Sequence, residues 1–282
     1  MSKNYYEIFR EHKHFLCDKH IPYLFIYDRI FNEILIKNRP IKMLEIGVCN
    51  GGSLEIWKKY LPSGSEIHGV DINPNCAKLQ FEENIHFHLG NATDKAFILD
   101  KFKDIEFDII LDDGSHKCKD VIKTFEILFP KLAWGGIYIV EDMQTSYWKQ
   151  YGGGFLKNGS SIEYFKNLLD ALNYDKILYD DYSNEKQGVI SKIIKNYINK
   201  TVLKKTKKHM DLIRKYQDQI SQISFFYQMA LIQKFHSKKI EPFTELAVKA
   251  GNISEVAPAK SDIEINQEII NTVKRRYTER TE

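Results

Sequence analysis

The chain has 282 residues, of which 43% are hydrophobic and 28% are charged, and its formal net charge is +3. These proportions are ordinary for a globular protein and exclude a chain that is mostly disordered. The charge is too small for this length to indicate nucleic-acid binding, so we predict no nucleic-acid partner. The basic clusters at 204–208 and 274–276 are local, and we expect them on solvated helix or tail surfaces.

The cysteines and the N-terminus predict where the protein works. Four cysteines, Cys17, Cys49, Cys76 and Cys118, lie far apart and form no CxxC pair. They are typical of free thiols in a reducing compartment and not of a disulfide framework or a zinc site. The N-terminus lacks an apolar signal core, and no apolar run approaches the roughly 20 residues that a membrane span needs. We therefore expect a cytoplasmic protein without a membrane span.

Residues 1–38 are predicted to form an N-terminal helical cap, because apolar residues recur between 21 and 34 at steps of three and four. Pro40 ends that segment. Short apolar runs then alternate with helical patterns. The predicted strands are 42–46, 66–70, 85–89, 108–111 and 136–140, and the predicted helices are 53–60, 76–81, 96–102 and 119–132. This alternation predicts an α/β fold with a Rossmann-like, doubly wound and mostly parallel sheet.

The alternation stops after residue 140. It gives way to a glycine-rich loop, a helix, a long polar helical stretch and a β-rich segment, at 150–159, 161–172, 189–219 and 220–234. The β-rich segment would supply the last strands. We predict an α/β domain at 39–236 with a helical insertion at about 160–219, followed by a polar C-terminal tail at 237–282. The long helical stretch would serve acceptor specificity or contacts in a homo-oligomer, and the sequence does not choose between them.

A glycine-rich turn follows the first predicted strand. It runs Gly47-Val-Cys-Asn-Gly51-Gly52, and glycines at a strand-to-helix turn let the backbone pass close to a ligand. A dinucleotide fingerprint needs glycine at the position of Cys49, which makes an NAD-dependent oxidoreductase the least favoured interpretation. The turn suits a ligand without phosphates, such as S-adenosylmethionine (SAM), whose carboxylate Ser53 could contact. A tight structural turn is the alternative.

Three polar residues near the same edge are further candidates for cofactor contacts. Asp71 ends the second strand, where a carboxylate can accept hydrogen bonds from both ribose hydroxyls, although it could instead cap the next turn. Glu45 precedes the glycine loop and is either close to the cofactor or a buried structural acid. Asn91 follows the third strand, where an amide could meet the adenine edge.

Acids and a histidine follow the fourth and fifth predicted strands, as Asp112-Asp113-Gly-Ser-His116 and Glu141-Asp142. Ligands of parallel α/β sheets sit at the carboxyl ends of strands, so these side chains should meet the cofactor in one crevice. Carboxylates packed so closely repel one another unless a cation intervenes, and Mg²⁺ prefers oxygen ligands. His116 would accept the proton of a metal-bound hydroxyl. Taken alone, each residue is more often a helix cap or an ordinary surface group.

With these motifs, the chain resembles class I SAM-dependent methyltransferases, most of all the metal-dependent sugar O-methyltransferases of the macrocin O-methyltransferase family. The resemblance covers about residues 19–155 and rests on Leu44-Glu-Ile-Gly-Val, Gly-Gly-Ser-Leu54, Val70-Asp71, Asp112-Asp-Gly-Ser-His116 and Val140-Glu-Asp142. It implies metal ligation by Asp113, Glu141 and Asp142, with His116 as the general base. It also implies SAM contacts by Glu45, Gly47, Ser53 and Asp71, with Asp112 beside the cofactor or behind the metal ligands.

The activity that the resemblance implies is Mg²⁺-dependent methylation of a sugar hydroxyl. The acceptor would be a nucleotide-linked sugar, or a precursor of a surface polysaccharide or natural product. Another small acceptor, such as a vicinal diol or a phosphorylated metabolite, is the first alternative, and a non-catalytic SAM-binding protein is the second. The complete acidic and histidine motifs argue against the second. Asn91 stands where relatives often carry Asp, so the family does not supply the adenine contact at this position.

Overall fold

The computed structural model describes residues 4–35, 39–173 and 200–236. Contacts between residues divide the chain into two compact units. The first unit runs to Leu172 and resumes at Lys215, and it contains every strand described below. Of the second unit, the structure describes Asn173 and residues 200–214. Residues 200–214 form most of one helix. The division into cap, domain and tail that the sequence predicts follows other boundaries and stays a prediction.

The first unit is organised around a seven-stranded sheet. Its strands are β1 Lys42–Ile46, β2 Glu66–Asp71, β3 Ile85–Leu89, β4 Phe107–Asp112, β5 Leu132–Val140, β6 Ile220–Phe226 and β7 Met229–Lys234. Their order across the sheet is β3-β2-β1-β4-β5-β7-β6. The first five strands are parallel, and β7 and β6 form an antiparallel pair beside β5. The sheet confirms the predicted fold class and the predicted last strands.

Seven α-helices accompany the sheet in the described part of the chain. They are α1 Tyr5–Glu11, α2 Ile21–Leu35, α3 Gly52–Tyr60, α4 Lys95–Lys101, α5 Cys118–Leu128, α6 Ser161–Asn167 and α7 Lys200–Tyr216. Polar side chains fix several starts, since Asp94 caps α4 and Ser160 caps α6. The predicted helix at 76–81 is instead a short 3₁₀ helix, Pro74–Lys78, which Asn73 caps. The helix predicted at 119–132 ends at Leu128, because Pro130 cannot continue it.

The N-terminal region differs from the helical segment predicted for residues 1–38. An irregular stretch without a helix or strand, residues 12–20, separates α1 from α2, and we call it the strap. Glu55 of α3 holds the strap: it accepts a hydrogen bond from the Phe15 N–H at 3.3 Å and lies 2.7 Å from His14 Nδ1. The helical prediction was wrong for the strap, because contacts with a residue about 40 positions away outweigh its local propensity.

The N-terminal helices share a hydrophobic core with the sheet. Trp57 of α3 is fully buried in that core. The centroid of its ring lies 4.5 Å from that of Tyr5, 4.9 Å from that of Tyr27 and 5.3 Å from that of Phe31. Aromatic pairs at such distances stabilise a fold beyond the area that they bury. The residues of the predicted cap therefore belong to the same compact unit as the sheet.

The later segments are described in part. α7 confirms the predicted helical stretch from Lys200 onward, and β6 and β7 confirm the β-rich segment. The remainder of that stretch, 189–199, and the predicted tail, 237–282, lie outside the described residues. Within the described residues, no helix has both the length and the apolar character that a bilayer crossing requires.

Candidate active site

A cavity of about 790 Å³ lies at the carboxyl ends of the parallel strands. β1 and β4 are neighbours in the sheet, and the strands that follow them in sequence extend towards opposite edges. Ligands of open α/β sheets bind at such a switch point, and the volume suits a small-molecule site. The predicted site residues that line the cavity are Gly47, Asp71, Asn91, Asp112, Asp113, His116, Glu141 and Asp142.

The glycine loop needs glycine for reasons of backbone geometry. Gly47 has φ +90°, and its N–H donates to the Val70 carbonyl at 2.9 Å. A Cβ atom at Gly47 would overlap the carbonyl oxygen of Asp113, so the loop packs directly on the end of β4. Gly51 has φ +84° and occupies the N-cap position of α3 without a capping side chain. The loop is therefore a tight structural turn and also a wall of the cavity.

Asp71 ties the glycine loop to the end of β2. Its Oδ2 accepts hydrogen bonds from the N–H groups of Val48 at 2.9 Å and Cys49 at 3.0 Å, and its Oδ1 accepts from Asn73 N–H at 2.8 Å. A carboxylate has about four lone-pair sites, and these three bonds use both sites on Oδ2 and one on Oδ1, so Oδ1 can accept one further bond. Both roles weighed from the sequence, a turn acid and a ligand-facing acid, are compatible with this position.

Three predicted cofactor residues, Glu45, Gly51 and Ser53, are not among the residues that line the cavity. Glu45 is fully buried and accepts a hydrogen bond from Trp57 Nε1 at 2.9 Å. Burial raises the pKa of Glu45 to about 7, against the opposing effect of Lys19. Ser53 is also buried, in the first turn of α3. Gly51 is thus part of the loop, Glu45 and Ser53 lie in β1 and α3 on either side of it, and the contacts of all three with a cofactor stay predictions.

Asn91 and Asp112 line the cavity from two other strand ends. Asn91 Oδ1 accepts hydrogen bonds from the backbone N–H and the hydroxyl of Thr93, both at 2.9 Å. Asp112 is buried and accepts from Gly114 N–H at 3.3 Å and from the Tyr138 hydroxyl at 3.4 Å. Burial raises the pKa of Asp112 to about 7. Protein groups therefore already hold both side chains in place.

Asp113, His116 and Asp142 form a compact group of potential metal ligands, whose ligand atoms all lie within 4.8 Å of one another. His116 Nε2 is 3.9 Å from Asp113 Oδ1 and 3.6 Å from Asp142 Oδ2. His116 and Asp142 both have left-handed backbones, with φ of 56° and 55°. Such residues cost of order 1–3 kcal/mol each and occur preferentially at functional sites. Two carboxylates and an imidazole also suit a divalent cation chemically.

Glu141, the third predicted metal ligand, is already bound by Lys19 and Tyr27. Both of its carboxylate oxygens lie 2.9 Å from Lys19 Nζ, and one of them also accepts a hydrogen bond from the Tyr27 hydroxyl. The same ammonium forms an ion pair with Asp113. Burial and the neighbouring Asp113 raise the pKa of Glu141, while Lys19 acts in the opposite direction. Glu141 thus lies within an ion-pair network and not in the group of three ligands.

Sequence reasoning missed Lys19 and Tyr23, which come from the strap and α2. Lys19 reaches acids that are 94 and 122 positions away. The Tyr23 hydroxyl donates to Asp142 Oδ1 at 2.8 Å and accepts from Asp142 N–H at 3.2 Å. No local motif marks either residue, because their partners are set by the path of the strap across the sheet edge.

Residues 44–143, which carry most of β1 and all of β2 to β5, match a family described as a methyltransferase domain. This stretch is therefore similar to methyltransferase domains. The chain also has curated relatives with 35–36% sequence identity. The chain is 36% identical over 147 residues to the 8-demethyl-8-alpha-L-rhamnosyl tetracenomycin-C 2'-O-methyltransferase of Streptomyces olivaceus, a match that covers 49% of this chain and 38% of the relative.

A second relative of the chain is the mycinamicin VI 2''-O-methyltransferase of Micromonospora griseorubida. It is 35% identical over 181 residues, which are 60% of this chain and 43% of the relative. The chain therefore spans less than half the length of either relative. The fold is also similar to a structure of MycE methyltransferase from the mycinamycin biosynthetic pathway, in complex with Mg and SAH. That likeness has a TM-score of 0.61 at 25% identity and covers 83% of this chain and 55% of the other.

Proposed function

We propose that this chain is a SAM-dependent, divalent-metal-dependent O-methyltransferase that acts on a sugar hydroxyl. The observation that carries the proposal is the grouping of Asp113, His116 and Asp142 in a cavity that Gly47 and Asp71 also line. The two curated relatives are named as O-methyltransferases, and MycE methyltransferase is in complex with Mg and SAH, which supports the same assignment.

On the donor side, we assign SAM contacts to Gly47, Asp71, Asn91 and Asp112, since all four line the cavity. Asp71 fixes the loop at Val48 and Cys49, and one lone pair of its Oδ1 is left to accept a hydrogen bond from a ribose hydroxyl. We keep Glu45, Gly51 and Ser53 as further predicted SAM contacts, which would be made next to the cavity and not in its lining: Gly51 lies in the loop, and Glu45 and Ser53 flank it in β1 and α3.

On the acceptor side, Asp113, Glu141 and Asp142 would hold the cation, and His116 would act as general base. The bound cation would lower the pKa of an acceptor hydroxyl, and SAM would supply an electrophilic methyl group. His116 Nε2 would accept the hydroxyl proton, and the nearby carboxylates of Asp113 and Asp142 would stabilise the protonated ring. The hydrogen bonds from Tyr23 would hold Asp142 in position.

The acceptor that we favour is a sugar bound to a nucleotide, or one attached to a natural-product or surface-polysaccharide precursor. Support comes from the names of the relatives, and a second structure of MycE contains mycinamycin VI beside Mg and SAH. A cytoplasmic enzyme would fit the four cysteines, which are all free thiols. Homo-oligomer formation through segments outside the first unit is part of the same proposal.

Titration calorimetry and a transfer assay test the proposal. We expect heat of binding with SAM and SAH but not with NAD, and the absence of binding to SAM would contradict the proposal. A panel of nucleotide sugars and glycosylated natural products, incubated with SAM, should then yield a product heavier by one methyl group. Binding of SAM without transfer to any sugar, together with transfer to a catechol or a phosphorylated metabolite, would replace the sugar by that acceptor class.

Removal of the divalent cation should stop methyl transfer. We expect EDTA to lower the rate at least about a hundredfold, because an uncoordinated hydroxyl keeps a pKa far above neutral. Added Mg²⁺ should restore the rate, and the assay is initial-rate methyl transfer before and after metal addition. A rate that EDTA leaves unchanged would refute the metal part of the proposal.

A further inference from the structure

The strap carries a cation into the acidic group. Lys19 Nζ lies 2.9 Å from each carboxylate oxygen of Glu141 and forms a second ion pair with Asp113. The Lys19 side chain is only 4% exposed. An ammonium buried to this extent is held in place by its carboxylate partners, because water does not compensate its charge.

The ammonium and a divalent cation need the same carboxylates. Asp113 and Glu141 are two of the acids assigned to the cation, and Lys19 contacts both of them. The ion pairs of Lys19 in the described part of the chain do not include the other two candidate residues, Asp142 and His116. Nε2 of His116 lies 3.6 Å from Oδ2 of Asp142. A dication that reaches Asp113 must either displace the ammonium or sit beside it and be repelled.

The strap cannot easily withdraw the ammonium. The Phe15 N–H and His14 anchor it to Glu55, and Tyr23 at the start of α2 is fixed to Asp142. A Cβ atom added at Gly52 would overlap the carbonyl oxygens of Phe15 and Leu16, so the strap also packs closely on the start of α3. Anchors on both sides of Lys19 hold its ammonium near the acids.

We propose that Lys19 is a built-in counter-ion of the acidic group, which competes with the divalent cation for Asp113 and Glu141 and thereby sets the affinity of the site for metal. This inference rests on the proposed function, because it concerns the same cation. It adds a residue from outside the methyltransferase domain of residues 44–143 to the control of the site.

Metal affinity, measured without catalysis, tests the inference. Mn²⁺ binding is followed by electron paramagnetic resonance of the free ion in the native chain and in Lys19→Met, Lys19→Arg and Lys42→Met. Lys42→Met is the matched control, because it removes the same positive charge from an ion pair with Glu66. Lys42 lies at the start of β1, at the end of that strand opposite to the cavity. We expect Lys19→Met to bind Mn²⁺ at least about tenfold more tightly than the native chain, because a buried like charge a few ångströms away is removed. Lys19→Arg, which keeps the charge, and Lys42→Met should stay within about threefold of the native affinity.

Thermal melting with and without Mn²⁺ checks that the variants fold. Loss of Lys19 leaves the buried Glu141 and the part-buried Asp113 without their cation, so Lys19→Met should melt lower than the native chain without metal and gain more from Mn²⁺. Equal or weaker Mn²⁺ affinity in Lys19→Met, or an equal gain in Lys42→Met, would overturn the role of Lys19 and leave the metal site standing. Absence of Mn²⁺ binding in every variant would overturn the metal site and the inference together.

Discussion

His116 can serve the site either as a base or as a metal ligand, and its geometry allows both. Its Nε2 atom is equally a neighbour of Asp113 and Asp142 and lies in the same group of ligand atoms. We expect His116→Ala to lower the rate of methyl transfer by about 10²–10⁴-fold, the usual contribution of a general base. SAM affinity should change by less than about threefold, because the imidazole faces the acids and not the glycine loop.

The Mn²⁺ affinity of His116→Ala separates the role of a base from that of a metal ligand. A base would leave Mn²⁺ affinity near the native value, whereas a ligand would lower it together with the rate. His236→Ala is the control, because His236 lies beside Gly135 near the start of β5, away from the strand end that bears Glu141. Substantial turnover in His116→Ala would remove this residue from the mechanism.

His68 on β2 is buried as a neutral ring. Its Nδ1 lies 3.1 Å from His88 Nε2, and its ring packs against those of Phe102 and Phe107. Burial and the neighbouring histidines lower the pKa of His68 to about 4. In the unfolded chain the ordinary pKa is about 6.5, so below that pH the unfolded state binds a proton that the folded state refuses. The stability that neutral His68 contributes is therefore complete above about pH 6.5 and is lost as the pH falls towards 4.

As the pH falls from about 7.5 to about 5, we expect the native chain to lose stability relative to His68→Leu, because the variant has no imidazole at position 68 to bind a proton. Urea unfolding of both proteins at each pH gives the difference in free energy of unfolding. The comparison cancels the carboxyl groups, such as Glu45 and Asp112, whose raised pKa values favour low pH in both proteins. A free-energy difference that stays constant with pH would contradict the prediction.

At the scale of single elements, the strap is the piece whose structure depends most on one partner. Glu55 accepts a hydrogen bond from the Phe15 N–H. His12 Nε2 lies 3.4 Å from one of its carboxylate oxygens, and His14 Nδ1 lies 2.7 Å from the other. We expect Glu55→Ala to speed amide hydrogen exchange in residues 12–20 by about 10–100-fold, since it removes hydrogen bonds to a charged acceptor that are worth 1.5–3 kcal/mol.

Exchange measured by mass spectrometry on peptides of the strap checks this expectation. Glu163→Ala, which removes an ion pair with Lys166 on α6, should leave exchange in the strap unchanged. Peptides from β1 and β4 should be as protected in Glu55→Ala as in the native chain. An unchanged strap, or a loss of protection in the strands as well, would show that Glu55 is not a local anchor.

The parallel strands and their helices could be predicted from the sequence, because the spacing of apolar residues and the length of each apolar run are local properties. The acids at 112–113 and 141–142 could be placed at one edge for the same reason, since parallel strands end together. The strap could not be predicted, because its path depends on Glu55 of another element. The roles of Lys19 and Tyr23 could not be predicted either, because their partners lie about 90 to 120 positions away. Glu45 and Ser53 are buried and do not line the cavity, so their expected contacts with a cofactor stay predictions.

At the scale of the whole first unit, stability rests on the aromatic core around Trp57. Trp57 joins α1, α2 and α3 through Tyr5, Tyr27 and Phe31, and its Nε1 donates a hydrogen bond to Oε2 of the buried Glu45. We expect Trp57→Ala to lower the free energy of unfolding by about 4 kcal/mol or more, from the cavity and the acid left unpaired. Urea unfolding monitored by circular dichroism measures the change.

Trp148 provides the matched comparison. It is 47% exposed, and Trp148→Ala should change the free energy of unfolding by about 0.5 kcal/mol or less. Similar losses in the two variants would mean that the N-terminal helices contribute little to the stability of the sheet. A large loss in Trp57→Ala alone would show that the N-terminal residues and the strands unfold as one unit.

The cavity has walls of two kinds, and they differ in how freely evolution can alter them. Gly47 and Asp113 touch through backbone atoms, so a change there disturbs two strand ends at once. Asp18, Lys19 and His20 of the strap line the same cavity with side chains from an irregular segment. Substitutions in the strap would therefore reshape the cavity while the packed strand ends stay as they are.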